Sequence, residues 1–170
     1  MECISPGLPS LLYAPYLYEI QTSEQGLILH HEYQAVHRSV DWEGETFGPD
    51  PRPLFGTRTG RLDGRTLVVE SYGFPSDAAG LASDWDPNGL GANVPSSEQK
   101  QLTERYTVSE DSQRLILDYT VEDSAYLTEP YEGRIEWRRL VDDAPIYDFE
   151  CDVSIASQST LNAPAKEVSE

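Results

Sequence analysis

The sequence contains little positive charge. Twelve Lys and Arg residues stand against thirty Asp and Glu residues, which gives a formal net charge of −18 and a pI near 4.3. A nucleic-acid backbone or an anionic membrane would be repelled by such a chain, so we expect neither as a partner. The acidity indicates a well-solvated or salt-adapted surface, or else the attraction of a cationic partner.

Long apolar runs and cysteines are also scarce. No run approaches the roughly 20 apolar residues that cross a bilayer, and no segment has the form of a signal peptide. The two cysteines, Cys3 and Cys151, lie almost at opposite ends of the predicted domain. A disulfide between them would add on the order of 4–5 kcal/mol in a chain-entropy model and would favour an oxidising compartment. Two free thiols are the alternative, and two cysteines so far apart do not suggest zinc.

Helical periodicity is nearly absent as well. Short runs alternate apolar and polar residues and are separated by Gly, Pro, Asp and Ser, which is typical of strands and turns. Asp63–Gly64 lies between two such runs and predicts a hairpin with a type I′ turn. The predicted strands cover residues 16–22, 26–33, 36–42, 54–62, 65–72, 101–108, 114–121, 131–140 and 146–153.

This pattern predicts an all-β domain over residues 1–157. Closure into an antiparallel, lipocalin-like β-barrel would hide the sheet edges and leave room for one small ligand, and a two-sheet β-sandwich is the alternative. Residues 74–97 are too rich in Gly, Pro and Asp and too long for a plain connector, so they predict a lid or a short-helix insert. Residues 158–170 predict a flexible C-terminal tail.

Five stretches occur together in the order of a known pattern. They are "CISPGLPSLLYAPYLYEIQTSEQGLILHHEY", "GRLDGRTLVVESYGF", "LTERY", "YTVEDSAYLTEPYE" and "YDFEC". Together they resemble a largely uncharacterised family of exported bacterial proteins with C-x-P-x-G-x-P, G-x-W-x-G-D-T-L-V-V-D-T-x-G-F, E-R-F, D-D-P-x-x-Y-T-x-P-W and E-Y-x-C motifs. The resemblance covers most of residues 3–151. It implies a periplasmic or secreted protein, with the signal absent from this chain. It also implies that Cys3 and Cys151 occupy the family's two cysteine positions, but it implies no reaction.

All three histidines fall within eight positions of one predicted hairpin. His30 and Glu32 share a strand face, and a short turn at Gln34–Ala35 would place His37 opposite Glu32. Two histidines and a carboxylate would then meet, as in facial-triad sites for divalent metals. The alternative, which a short polar ribbon readily produces, is an outward face carrying a Glu–His pair.

Strand parity turns several polar side chains toward the apolar face. We expect four candidate catalytic residues there: His31, Arg38, Glu104 and Tyr119. Buried ionisable groups must be paired or must shift their pKa. His31, expected opposite Arg38, or Glu104 would be a general base, while Tyr119 and Arg38 would stabilise an oxyanion. A structural Arg38–Glu104 pair with hydrogen-bonded tyrosines is the alternative.

Four further side chains complete the predicted ligand-binding set: Tyr33, Glu70, Tyr72 and Tyr106. The parity of Glu70 and Tyr72 is ambiguous.

The leading hypothesis is a barrel that binds a small molecule in a partly apolar pocket containing polar groups. A cofactor-independent acid–base enzyme of isomerase, lyase or cyclase type, acting on a small carbonyl compound, is the second hypothesis. A structural or interaction domain without a cavity is the third. The sequence has no phosphate-binding glycine motif and no nucleophile elbow, and we expect no cofactor.

Overall fold

The computed structural model describes residues 5–42, 53–140 and 144–147. Within these ranges the chain forms ten strands and two short 3₁₀ helices, Ser10–Tyr13 and Pro53–Phe55. The strands are β1 (Tyr18–Thr22), β2 (Gly26–His31), β3 (Val36–Asp41), β4 (Thr57–Asp63), β5 (Thr66–Tyr72), β6 (Asp77–Ala82), β7 (Val94–Ser96), β8 (Gln101–Val108), β9 (Arg114–Glu122) and β10 (Tyr131–Arg138). The all-β prediction is therefore confirmed.

Eight strands form one strongly curled sheet in the order β1-β2-β3-β4-β5-β8-β9-β10. All neighbouring pairs are antiparallel except β3 and β4, which meet in a parallel arrangement at Asp41 and Thr59. In the described part of the chain the sheet is a half-barrel, and the prediction of a closed, purely antiparallel barrel is wrong. The two edge strands face each other through side chains, since the Tyr18 and Trp137 rings stack with centroids 5.0 Å apart. These bulky rings occupy the seam where a closed barrel would have backbone hydrogen bonds.

The predicted strand positions agree with eight strands of the main sheet. The ninth predicted strand, residues 146–153, falls mostly outside the described residues, as do both cysteines and the predicted tail. The hairpin after β4 is confirmed, but its turn differs from the prediction. Asp63 pairs with Thr66, so Gly64 and Arg65 are the central residues, and only Gly64 has a positive φ, of 60°. That pattern fits a type II′ turn, which places glycine first, and the predicted type I′ turn is wrong.

The insert predicted at residues 74–97 forms a small two-stranded sheet of β6 and β7 rather than a short helix. Its connecting segment folds around the Asp86 carboxylate, which accepts backbone N–H bonds from Ser83 (2.7 Å), Asn88 (2.7 Å) and Gly89 (3.1 Å). Satisfying nearby backbone amides in this way stabilises a turn and competes with helix formation. The Ser10 hydroxyl donates to the same carboxylate and ties the insert to the first 3₁₀ helix.

The hydrophobic core fills the concave face of the half-barrel. Alternate residues of the curled strands point inward, and leucines of the N-terminal segment cover them. The insert closes another side, where Leu81 is buried. The core includes Leu8, Leu11, Leu12, Leu29, Val36, Val40, Phe55, Val69, Phe74, Leu102, Leu117 and Val121.

Candidate functional site

A charged pair lies at the centre of this core. Arg38 projects inward from β3 and Glu104 from β8, and both side chains have 0% exposure to solvent. The guanidinium Nη1 donates to Glu104 Oε1 at 3.0 Å, and Nη2 donates to Oε2. This two-pronged contact matches the planar fork of arginine to a carboxylate. Burial alone would lower the pKa of Arg38, but the adjacent Glu104 outweighs it and raises that pKa.

Two tyrosines extend this pair toward the seam. The Tyr106 hydroxyl donates to Glu104 Oε1 at 2.7 Å, and the Tyr18 hydroxyl donates to the Tyr106 oxygen at 3.0 Å. Burial raises the pKa of both tyrosines, so their hydroxyls remain protonated donors. Both oxygens of Glu104 are therefore occupied, and the carboxylate is held as an ion-pair partner rather than as a free base.

His31 lies beside this network on β2. Its ring contacts the Tyr18 ring at a centroid distance of 4.6 Å, and its buried Nε2 has no hydrogen-bond partner within the described ranges. Burial lowers the pKa of His31 well below its usual value, and the positive charge of Arg38 lowers it further. The imidazole is therefore neutral at pH 7. A void of about 10 Å³ adjoins it, which is the space of a single water molecule.

The expected pairing of His31 with Arg38 is wrong by two residues. His31 pairs with Val36, while Arg38 pairs with Leu29. The two polar residues are consequently diagonal neighbours on the same face. The predicted inward parity of both is confirmed by their burial.

Tyr119 belongs to a second network. It stands opposite Glu104 in the ladder, but its hydroxyl bonds to the Tyr13 hydroxyl at 2.7 Å and accepts from Asn88 Nδ2 at 3.0 Å. Burial raises the pKa of Tyr119, and the bond to Tyr13 adds to this. The structure thus brings His31, Arg38 and Glu104 together and directs the Tyr119 hydroxyl toward the insert.

Gly133 on β10 makes room for the Tyr119 ring. It lies opposite Tyr119 in the ladder, and a Cβ atom at this position would come 2.1 Å from Tyr119 Cζ. Only a residue without a side chain allows the ring to cross the strand here. The position of the second network therefore depends on this glycine.

The predicted ligand-binding residues separate into two groups. Tyr106 is part of the buried network, and Tyr33 is half-buried against Tyr16, with ring centroids 5.0 Å apart. Glu70 and Tyr72 lie on the exposed face of β5, where Glu70 is 3.7 Å from Arg61. They do not face the interior.

The histidine hairpin has a different register from the one that a metal site requires. The turn at Gln34–Ala35 is confirmed, since both residues have positive φ, but His30 pairs with His37, and their ring centroids are 4.1 Å apart. The expected position of His37 opposite Glu32 is wrong. Glu32 instead accepts backbone N–H bonds from two other segments. In the part of the chain that the structure describes, no group of three or more His, Cys, Asp or Glu side chains has a metal-binding arrangement.

An open groove of about 920 Å³ follows the seam between β1 and β10. Aromatic and aliphatic side chains form most of its surface: Tyr16, Leu17, Tyr18, Leu115, Trp137 and Leu140. Four residues line both the groove and the small void beside His31, and they lie between the groove and the buried histidine: Tyr16, Leu17, Tyr18 and Trp137.

The sequence interpretation missed Tyr18 and Tyr13. Tyr18 had a usable signal, because it alternates with Ile20 on a predicted strand. Tyr13 lies on a 3₁₀ helix, where no period of two reports which side is buried.

Comparisons with known proteins identify no relative of this chain. Scans of protein-family models, curated proteins and solved structures find no match. The resemblance to exported bacterial proteins therefore stays a prediction. Across the described ranges, no helix has the length and apolar character needed to cross a bilayer.

Proposed function

We propose that this protein binds a small, partly apolar molecule in the groove between β1 and β10. The observation that carries the proposal is the groove itself, whose volume of about 920 Å³ falls within the roughly 300–1,000 Å³ of ligand sites. Its surface offers aromatic rings and aliphatic side chains with charged groups at the margin. This combination suits a ligand with an apolar body and a polar group.

The volumes of the two cavities support ligand binding in the groove rather than in the interior pocket that the sequence predicted. The space next to His31 is about 10 Å³, and the neighbouring Arg38 and Glu104 satisfy each other. A ligand of several heavy atoms would have to displace packed side chains to enter there. The lipocalin-like analogy is therefore retained in altered form, with the ligand at the open seam rather than in a closed lumen.

One observation favours an acid–base enzyme as a second candidate. Nε2 of His31 has no hydrogen-bond partner among the described residues, and the imidazole is neutral at pH 7, which is the chemistry of a general base. The four side chains that line both the groove and the void stand between this atom and the groove. A substrate would reach His31 only after one of these side chains moved.

The proposal also includes export of the protein, which rests on the sequence resemblance. We infer a periplasmic or secreted protein with a disulfide between Cys3 and Cys151. Thiol labelling of the unfolded protein before and after reduction tests the bond: two reactive thiols should appear only after reduction. Two thiols without reduction would rule it out.

A fluorescent neutral probe, N-phenyl-1-naphthylamine, tests binding at the groove. Its emission should rise in the presence of the folded protein and saturate with a defined stoichiometry. Leu140→Asp should weaken binding by about tenfold or more, because it places a charge on an apolar wall of the groove. Leu140 is 52% exposed, so the folded structure should tolerate the change.

The matched control is Leu90→Asp. Leu90 is 92% exposed and does not line the groove, so the same chemical change should leave probe binding unaltered. Absence of saturable binding, or equal loss in both variants, would reject the groove as the binding site. Native mass spectrometry of the gently purified protein gives an independent search for a retained ligand.

A further inference from the structure

Two arginines stand directly opposite each other at one end of the groove. Arg138 on β10 pairs with Arg114 on β9 in the antiparallel ladder, and both line the groove. Cβ atoms of directly opposed residues lie roughly 4.5–5.5 Å apart, and like charges in this position are destabilising. The fold therefore holds two like charges opposite each other at the margin of the groove.

The nearby acidic residues Glu136 and Asp118 contact Arg114 or Arg134 rather than Arg138. Glu136 lies 3.3 Å from Arg114 and 3.4 Å from Arg134, and Asp118 lies 3.1 Å from Arg134. Among the residues that the structure describes, no carboxylate lies within 4.0 Å of Arg138. The exposed ladder consequently ends in positive charge at the groove.

The described lining of the groove is positively charged, in contrast to the whole chain. Among the residues that the structure describes, three arginines line the groove, the third being Arg139, and one acidic residue does, Glu19. Glu19 is itself engaged, since it accepts from Gln21 Nε2 at 2.7 Å and lies 3.8 Å from His30 Nδ1. A chain with a formal charge of −18 thus places three positive side chains and one negative side chain among the described residues that line this groove.

The apolar and cationic parts of the groove are adjacent rungs of one ladder. Trp137 pairs with Leu115, and the next rung is Arg138 with Arg114. Successive rungs are separated by about 3.4 Å along a strand. Successive side chains point to opposite faces of a strand, so a molecule that contacts both rungs has to lie across the free end of the β9–β10 ladder, where all four residues line the groove.

We propose that the ligand of the groove is an amphipathic anion, with an apolar body and one carboxylate, sulfonate or similar group. This inference rests on the binding function proposed above and specifies the chemical class of the ligand. The anionic group lies beside Arg138, which faces Arg114 across the ladder, and relieves the repulsion between them, while the apolar body extends around the end of the ladder to Trp137 and Leu115. Arg139 adds attraction from the adjoining position.

Two probes with the same aromatic body test the inference. N-phenyl-1-naphthylamine is neutral, and 8-anilinonaphthalene-1-sulfonate carries one added sulfonate. At low ionic strength the sulfonate probe should bind at least about tenfold more tightly, and added salt should reduce this preference. Each probe should displace the other, which verifies that both occupy one site.

Arginine variants locate the source of the preference. The double variant R138Q/R139Q should lower the affinity for the sulfonate probe much more than that for the neutral probe, so that the preference for the sulfonate is lost. The control R61Q/R65Q removes two charges from exposed positions of the β4–β5 hairpin that do not line the groove, and it should retain the preference. Circular dichroism should show that both variants are folded.

The outcomes separate the two proposals. Saturable binding of the neutral probe with no preference for the sulfonate would overturn the anion inference and leave small-molecule binding standing. An equal loss of preference in both double variants would also overturn it, because the effect would come from total charge. If neither probe binds, both proposals are rejected.

Discussion

Arg38 and Glu104 form a fully buried ion pair although their strands, β3 and β8, are separated by β4 and β5 in the sheet. The contact exists because the sheet curls and brings the inner faces of these strands together. Taking two charges out of water costs several kcal/mol per ion, and good geometry with further hydrogen bonds offsets that cost. Tyr106 supplies such a bond to the carboxylate.

Removing one partner of this pair should be strongly destabilising. We expect Glu104→Leu to lower the free energy of unfolding by about 3–5 kcal/mol, because it leaves an uncompensated guanidinium in the core. The double variant Arg38→Met/Glu104→Leu should recover much of that loss. Urea denaturation of the two variants and the parent provides the measurement.

The exposed pair of Arg61 and Glu70 is the matched control. Its charged atoms are 3.7 Å apart and about half-exposed, so Glu70→Leu should change stability by no more than about 1 kcal/mol. If Glu104→Leu costs no more than Glu70→Leu, the buried pair does not have the structural role inferred here.

His31 should make stability depend on pH. Because its folded-state pKa is lowered below the unfolded value of about 6.5, the unfolded state binds more protons between these two values. The stability contributed by the neutral imidazole is therefore complete above about pH 6.5 and decreases as the pH falls, by at most about 1.4 kcal/mol per unit.

His31→Leu removes this dependence and leaves His30 and His37 in place. Urea denaturation from about pH 7.5 to about pH 5 should show the parent losing stability relative to the variant as the pH falls. The comparison cancels the effects of charges that both proteins share. Parallel stability curves would show that His31 does not titrate abnormally.

Alternation along single strands predicted much of the fold and part of the site. Leu102 and Tyr106 frame Glu104 on β8, and Val36 and Val40 frame Arg38 on β3, so the burial of both charges followed from parity. The pairing of the two charges across the curled sheet was one of the alternatives that the sequence left open.

Such local patterns could not predict the strand register or the open seam between β1 and β10. A shift of two residues changes the partners of His31 and His37 while leaving each side chain on the same face. The Tyr119 partners come from a 3₁₀ helix and from the insert, at distances of 106 and 31 residues along the chain. The open seam depends on the relative positions of the edge strands β1 and β10, which are far apart in the sequence. No local hydrophobic pattern determines these positions.

Gly133 and Tyr119 should show strong energetic coupling. Gly133→Ala places a methyl group within the volume of the Tyr119 ring and should cost about 1–3 kcal/mol through overpacking. In Tyr119→Leu the ring is gone, so adding Gly133→Ala to that variant should cost much less. A double-mutant cycle by chemical denaturation measures the difference, and additive losses would contradict the predicted clash.

Asp86 should control the local stability of the β6–β7 insert. Its buried carboxylate accepts bonds from three backbone amides and from Ser10, so Asp86→Ala leaves several buried donors without an acceptor. We expect the opening free energy of residues 77–96 to fall by about 3 kcal/mol, which corresponds to roughly hundredfold faster hydrogen exchange. Peptides from β8 and β9 serve as the internal reference in hydrogen-exchange mass spectrometry, because the main sheet should stay protected.

The control is Asp84→Ala, which removes an exposed carboxylate two residues away and should leave exchange unaltered in both regions. Uniformly faster exchange across 77–96 and 101–122 in the Asp86 variant would show that the insert and the half-barrel unfold as a single unit, against the local role assigned to Asp86.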